Sequence, residues 1–163
     1  MTDFASTEQR LAVTCQRYPD FPRRPATIVR LIKHIYKLVQ DEANTLLKPH
    51  GINHPEYNLL MMLYGTASGT MSPSELADAA GEKSANITRL TNELCEKGLI
   101  TRMASADDRR KLELSLTVQG LALIESFLPG ICTLLLRETS QLTASEQVQF
   151  EKLLKKFLGG LAE

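Results

Sequence analysis

Between residues 72 and 116 the chain passes through a short helix, a tight turn, a second helix and a pair of strands. The boundary of each is written in its residues. Ser72-Pro73-Ser74-Glu75 is the sharpest start signal. Ser72 offers a side-chain oxygen to the free N–H groups of a first turn. Pro73 has no N–H to leave unsatisfied, and Glu75 sits where a capping-box acid reaches back. The helix stops at Gly81. After a turn at Gly81-Glu82-Lys83 a second helix runs to Lys97 and ends at Gly98. The hydrophobic period then switches from 3.6 to 2. Leu99-Ile100-Thr101-Arg102-Met103 reads as strand, and Leu112-Glu113-Leu114-Ser115-Leu116 alternates as a half-buried strand does. The polar stretch from Ala104 to Lys111 makes the two a hairpin with a long loop.

The flanks are helical. Residues 1–24 lack a clear period, and the prolines of Tyr18-Pro19-Asp20-Phe21-Pro22-Arg23-Arg24-Pro25 forbid regular helix there, so 1–24 is predicted as an ordered arm or loop. From Pro25, Ile28, Leu31, Ile32, Ile35, Leu38, Val39 and Leu46 follow a helical stripe to the Pro49-His50-Gly51 stop. The stripe spans more than five turns, too long for one small core, and part of it is expected to face a second subunit. Asn53 and Glu56 frame the next helix, which runs to Gly65; a loop follows from Thr66 to Met71. Thr117 caps a further helical region that Pro129-Gly130 is expected to interrupt. Thr143-Ala144-Ser145-Glu146 opens a last helix that frays at Gly159-Gly160. The fold class is therefore mostly α with a small β-hairpin wing: a winged helix-turn-helix lobe over 53–117 with helices on either side.

Composition narrows the function classes. Lys plus Arg and Asp plus Glu are both 19, so any basic surface must be local and offset by acid elsewhere. No apolar run approaches the roughly 18–20 residues that span a bilayer. The polar Met1–Arg10 stretch lacks a signal-peptide core, so a cytoplasmic location is expected. Cys15, Cys95 and Cys132 are an odd count without a CxxC pair, which fits reduced thiols. His34, His50 and His54 are not at metal-ligand spacing. With no Gly-rich phosphate loop and no nucleophile motif, neither an enzyme nor a cofactor is expected.

A helix-turn-helix lays its second helix in the DNA major groove. On Ser84–Leu94, Ile87, Leu90 and Leu94 share the inward face. Ala85, Thr88, Arg89 and Asn92 point outward, with Asn86 flanking. Arg suits guanine, Asn suits adenine, and Thr and Ala suit the thymine methyl. Glu93 and Glu96 come late in the helix and would repel phosphate, so the N-terminal half is predicted to enter the groove. Ser72, Ser74 and Ser84 at the two helix starts join the DNA-contact set. In the hairpin tip, Arg109, Arg110 and Lys111 form a cationic run for phosphate or the minor groove, and Asp108 is expected to pair with a neighbouring Arg and fix the loop.

Through these residues the chain resembles the multiple-antibiotic-resistance regulator (MarR) family. The match runs from Ser72-Pro73-Ser74-Glu75-Leu76-Ala77 through Asn86-Ile87-Thr88-Arg89-Leu90, Leu94-Cys95-Glu96-Lys97-Gly98-Leu99-Ile100 and Asp108-Arg109-Arg110 to Leu116-Thr117-Val118-Gln119-Gly120. Within the family the chain looks most like regulators of multidrug efflux and aromatic-compound catabolism. The resemblance implies one domain over 1–163, with 25–48 and 118–160 as dimerisation helices. It also implies a homodimeric repressor on a palindromic double-stranded operator, released by a small aromatic or phenolic acid. By position Arg110 becomes the minor-groove residue of the wing and Asp108 its partner. Lys83 departs from the pattern, since many members place a capping Ser there.

Family pockets lie between the dimer helices and the DNA-binding lobe, which makes His34, Tyr36, Tyr57, Met61 and Tyr64 candidate lining residues, with Arg17 or Arg30 to fork a carboxylate. Aromatic and Met residues at helical spacing also serve as ordinary core. Two alternatives stay open: a redox-sensing regulator on the same fold using Cys15, and a winged-helix module that binds protein.

Overall fold

The computed structural model describes residues 4–104 and 112–161. The chain divides into two compact units, Met1–Glu42 and Ala43–Glu163.

The first unit is helical from its start. Ala5–Arg17 forms α1, where the sequence suggested an arm or loop. Leu11 is its one buried residue, so the helix carries almost no hydrophobic period for a sequence reading to find. Extended backbone at Tyr18 ends it, ahead of Pro19. Helix α2, Arg23–Leu47, begins two residues before Pro25. Pro25 is tolerated because first-turn amides have no intrahelical acceptor to lose. Ile28, Val29, Leu31, Ile35 and Tyr36 on α2 are exposed.

The second unit takes up the end of α2, where Ala43 and Leu47 are buried. A 3₁₀ turn, Lys48–His50, and Gly51 in the left-handed region (φ 72°) redirect the chain. Helix α3, His54–Tyr64, starts on the expected Asn53/Glu56 capping box. Then come β1 (Thr70–Met71), α4 (Pro73–Ala80), α5 (Ser84–Glu96), β2 (Ile100–Ala104), β3 (Leu112–Leu116), α6 (Val118–Glu138) and α7 (Ala144–Gly159). The Ser72/Glu75 and Thr143/Glu146 boxes form as expected, and Thr117 caps α6.

Three further expectations change. Thr70 and Met71, read as loop, pair antiparallel with Ser115 and Leu114. The hairpin thereby becomes a three-stranded sheet in the order β1-β3-β2. Two residues are too few to show a period, and only the partner strand makes them a strand. Pro129-Gly130 does not interrupt the last helical region, because α6 runs through it. An interior Pro costs about 3 kcal/mol in an isolated helix. Here Ile124 and Phe127 before it, and Ile131 and Leu134 after it, enter one core and hold the helix together. Finally, α6 is long and apolar enough to cross a membrane by length and composition, contrary to the sequence expectation. The row of buried residues accounts for only part of that apolar character, since Val118, Leu121, Leu135 and Leu136 are exposed.

The core of this unit gathers Leu47, Leu59, Leu60, Leu63, Leu76, Ile87, Leu90, Leu94, Leu114 and Phe127 with the α6 residues, so every element from α3 to α6 contributes. Gly120 fixes how α6 leaves the sheet: a Cβ there would sit 2.1 Å from the Leu99 carbonyl oxygen, and no side chain fits.

Candidate nucleic-acid interface

Helix α4 ends at Gly81, whose φ of 61° makes the left-handed cap that a side chain resists. Two residues later Lys83 stands at the N-cap of α5 and makes no side-chain capping bond, as its chemistry predicts. The inner face of α5 is Ile87, Leu90, Thr91 and Leu94, all buried. The outer face presents Ser84, Ala85, Thr88, Arg89 and Asn92 to solvent, with Asn86 half-buried. The predicted division of this helix into core and outward residues is thus the observed one. Ser72 and Ser74 lie at the start of α4, hydroxyl to hydroxyl at 3.0 Å, with Ser72 also accepting the Glu75 N–H.

The outward polar groups are not free rotors. Asn86 Nδ2 donates to Glu82 Oε2 at 2.8 Å. Arg89 Nη2 donates to Asn86 Oδ1 at 2.9 Å and Nη1 to Glu93 Oε1 at 2.6 Å. Thr88 Oγ1 donates to the Ser84 carbonyl. Asn92 Oδ1 accepts from Arg102 Nη2 at 2.5 Å, so its oxygen is engaged by β2. Asp108, Arg109, Arg110 and Lys111 lie outside the described residues; the strands that carry their loop end at the Ala104–Leu112 pair.

The C-terminal end of α5 is held by side chains from distant parts of the chain. Lys97 Nζ donates to Glu56 Oε1 at 2.6 Å and to the Gly51 carbonyl at 2.9 Å. Glu56 is 1% exposed, and its other oxygen accepts the Asn53 N–H. Thr117 Oγ1 donates to the Gly98 carbonyl while accepting the Gly120 N–H. On the sheet side, Arg102 also donates to Thr91 Oγ1 at 2.8 Å. The i,i+4 spacing of Glu82–Asn86 and Arg89–Glu93 was legible in sequence; Glu56–Lys97 and Asn92–Arg102 join residues brought together only by folding.

The proposed ligand residues fall in both units. In the first, Arg30 and His34 line one cleft with Phe4, Thr7, Lys33 and Lys37. Phe4 meets His34 edge-on at 5.8 Å, and His34 Nε2 is buried with no hydrogen-bond partner among the described residues. Arg17 lines a different cleft with Ser6, Gln9, Arg10, Val13 and Thr14, and Tyr36 is exposed. In the second unit Tyr57 packs edge-on against Phe127 at 5.6 Å and beside His54 at 5.9 Å. Burial, and then the nearby Cys132, push the Tyr57 phenol up. Met61 is half-buried against the core and Tyr64 is exposed. Cys15 is half-buried on α1 instead of lying in an exposed arm. Among the described residues no cluster of His, Cys, Asp and Glu has the makings of a metal site.

Residues 52–112 match a family model described as the MarR family. Over 160 residues the chain is 33% identical to the transcriptional repressor MprA of Escherichia coli K12, covering 98% of this chain and 91% of that one. It is also 33% identical over 143 residues to the HTH-type transcriptional regulator PrsX of Escherichia coli, covering 88% and 86%. Among solved structures it resembles a mutant MarR from Escherichia coli complexed with operator DNA, at TM-score 0.77 and 26% identity over 85% of this chain and 99% of that one. It likewise resembles the Staphylococcus aureus MepR–DNA complex, at TM-score 0.73 and 25% identity over 83% and 95%.

Proposed function

This chain belongs to the MarR family of transcriptional regulators, and on that premise we propose that it is a repressor that binds a palindromic operator as a homodimer and is released by a small aromatic or phenolic acid. The observation that carries the DNA-binding part is the outer face of α5. A helix packed by its apolar side displays Ser84, Ala85, Thr88 and Arg89 together, with its C-terminal end anchored by Lys97 and Thr117. Asn86, Arg89 and Asn92 supply base-edge contacts. Ser72, Ser74 and Ser84 supply phosphate contacts, and Arg109, Arg110 and Lys111 supply the wing contacts, braced by Asp108. Such a repressor works in the cytoplasm, where its operator is.

Dimerisation is supported by apolar surface left in water. Helix α7 has no buried residue, yet Val148, Leu153, Leu154, Phe157 and Leu158 lie along it. On α2, Ile28, Leu31 and Ile35 are exposed as well. Rows of exposed apolar side chains along a helix, as on α7, mark an association site. For the effector, Arg30 offers a fork to a carboxylate beside the His34 and Phe4 rings, Arg17 lines a separate cleft, and Tyr36, Tyr57, Met61 and Tyr64 stay candidates by resemblance to the family. An effector acts only by preferring one dimer shape, and the shape that matters is the separation of the two reading helices, about one DNA turn or a multiple.

The test is fluorescence anisotropy on a duplex from the chain's own promoter. Affinity is expected to fall steeply, by about 10³-fold or more between 50 and 200 mM salt for a dimer making six or more phosphate contacts. R89A combined with R110A is expected to abolish binding. Unchanged binding by that variant overturns the reading.

A further inference from the structure

We propose that Glu93 is a specificity-determining residue: it holds the Arg89 guanidinium in a reading posture and neutralises it toward phosphate, so that Arg89 serves base recognition in preference to backbone attraction. The inference rests on the DNA-binding reading of α5 and deepens it.

The geometry is a single chain of bonds along the exposed face, Glu82 to Asn86 to Arg89 to Glu93. Its polarity is fixed by chemistry. A guanidinium only donates and a carboxylate only accepts, so the Asn86 oxygen must face Arg89 and its NH₂ must face Glu82. Arg89 has five N–H donors and spends two of them here, one on each terminal nitrogen. Three remain, enough for the paired contact that recognises guanine. The fork is therefore set before DNA arrives, and the rotamer entropy of a long side chain is largely spent in advance.

Charge points the same way. Glu82 and Glu93 balance Lys83 and Arg89 on this stretch of surface. A cation already paired 2.6 Å from a carboxylate gains little from a phosphate, because the gain is offset by bringing the carboxylate close to the same phosphate. Nonspecific binding is almost wholly phosphate attraction, whereas base-edge contacts are short-ranged and need the donors alone. An acid on the DNA-facing helix thus lowers affinity for every sequence and lowers it least where guanine meets Arg89, a repulsive element that creates discrimination.

The experiment compares E93Q with wild type on two duplexes at fixed salt, the promoter fragment and a scrambled fragment of equal length and composition, each in a wild-type and an R89A background. E93Q is expected to tighten scrambled-duplex binding and to lower the promoter-to-scrambled affinity ratio about tenfold, the low end of what one paired base contact discriminates. The salt slope on the scrambled duplex is expected to steepen by about 1 per reading helix as Arg89 is freed to meet phosphate. In the R89A background E93Q is expected to leave the ratio unchanged. Equal tightening on both duplexes, which simple removal of a negative charge predicts, overturns this inference alone, as does the same fall in ratio with R89A present. A wild-type protein that binds neither duplex overturns the DNA-binding reading and this inference with it.

Discussion

Arg102 on β2 fastens the wing sheet to α5, its Nη2 lying 2.5 Å from Asn92 Oδ1 and 2.8 Å from Thr91 Oγ1. Thr91 is 2% exposed, and its hydroxyl donates in turn to the Thr88 carbonyl, so the brace reaches the buried side of the helix. In the proposed binding mode the helix and the hairpin that follows it meet one duplex together, and a side chain that fixes their relative angle fixes both contacts at once. R102M is expected to cost about 1–2 kcal/mol of stability, toward the low end for hydrogen bonds to a charged donor because Arg102 is exposed. Promoter affinity is expected to fall about tenfold, more than the loss of one distant cation explains. Denaturant unfolding and anisotropy on the same samples check both.

The Glu56–Lys97 pair predicts an asymmetric pair of effects. Glu56 is 1% exposed, while the Lys97 side chain is 39% exposed. K97M leaves a buried carboxylate with only the Asn53 N–H, and is expected to cost about 3 kcal/mol, the low end for breaking a buried pair because Lys97 is partly in water. E56Q with K97M removes both charges and is expected to cost less than K97M alone. Urea unfolding midpoints at constant slope give the comparison; equal costs for the single and double variants contradict the buried-charge account.

A pH dependence follows from His54. Burial holds its pKa below the ordinary 6.5. Between the lowered value and 6.5 the unfolded chain binds a proton that the folded chain does not, so stability rises with pH there. The contribution is complete above about 6.5 and is lost as pH falls toward the lowered value. The carboxylates of Glu146 and Glu151, held below 4.5 by hydrogen bonds from Thr143 and Lys155, lose their contribution only in more acidic solution. H54N is expected to show a shallower drop in melting temperature from pH 7.5 to 5 than wild type, as read by thermal denaturation.

The elements that carry their own signals were legible in the sequence. The Asn53, Ser72 and Thr143 boxes cap helices where their spacing says they should, and the inward and outward faces of α5 follow from its period. Misreadings came where local rules were weak or overruled. Helix α1 buries Leu11 alone, β1 is two residues long, and Pro129 lies in a helix whose core contacts outweigh its penalty.

Local propensity, caps and hydrophobic period act over a few residues, so the chain by itself determined the capped and periodic segments, α1 and β1 excepted, and which face of α5 looks outward. Folding alone decided what those outward groups do. Lys97 reaches Glu56 across 41 positions and Arg102 reaches Asn92 across 10. A hydrogen bond acts over about 3 Å, and no pattern along a sequence reports which distant groups the packed core will bring that close.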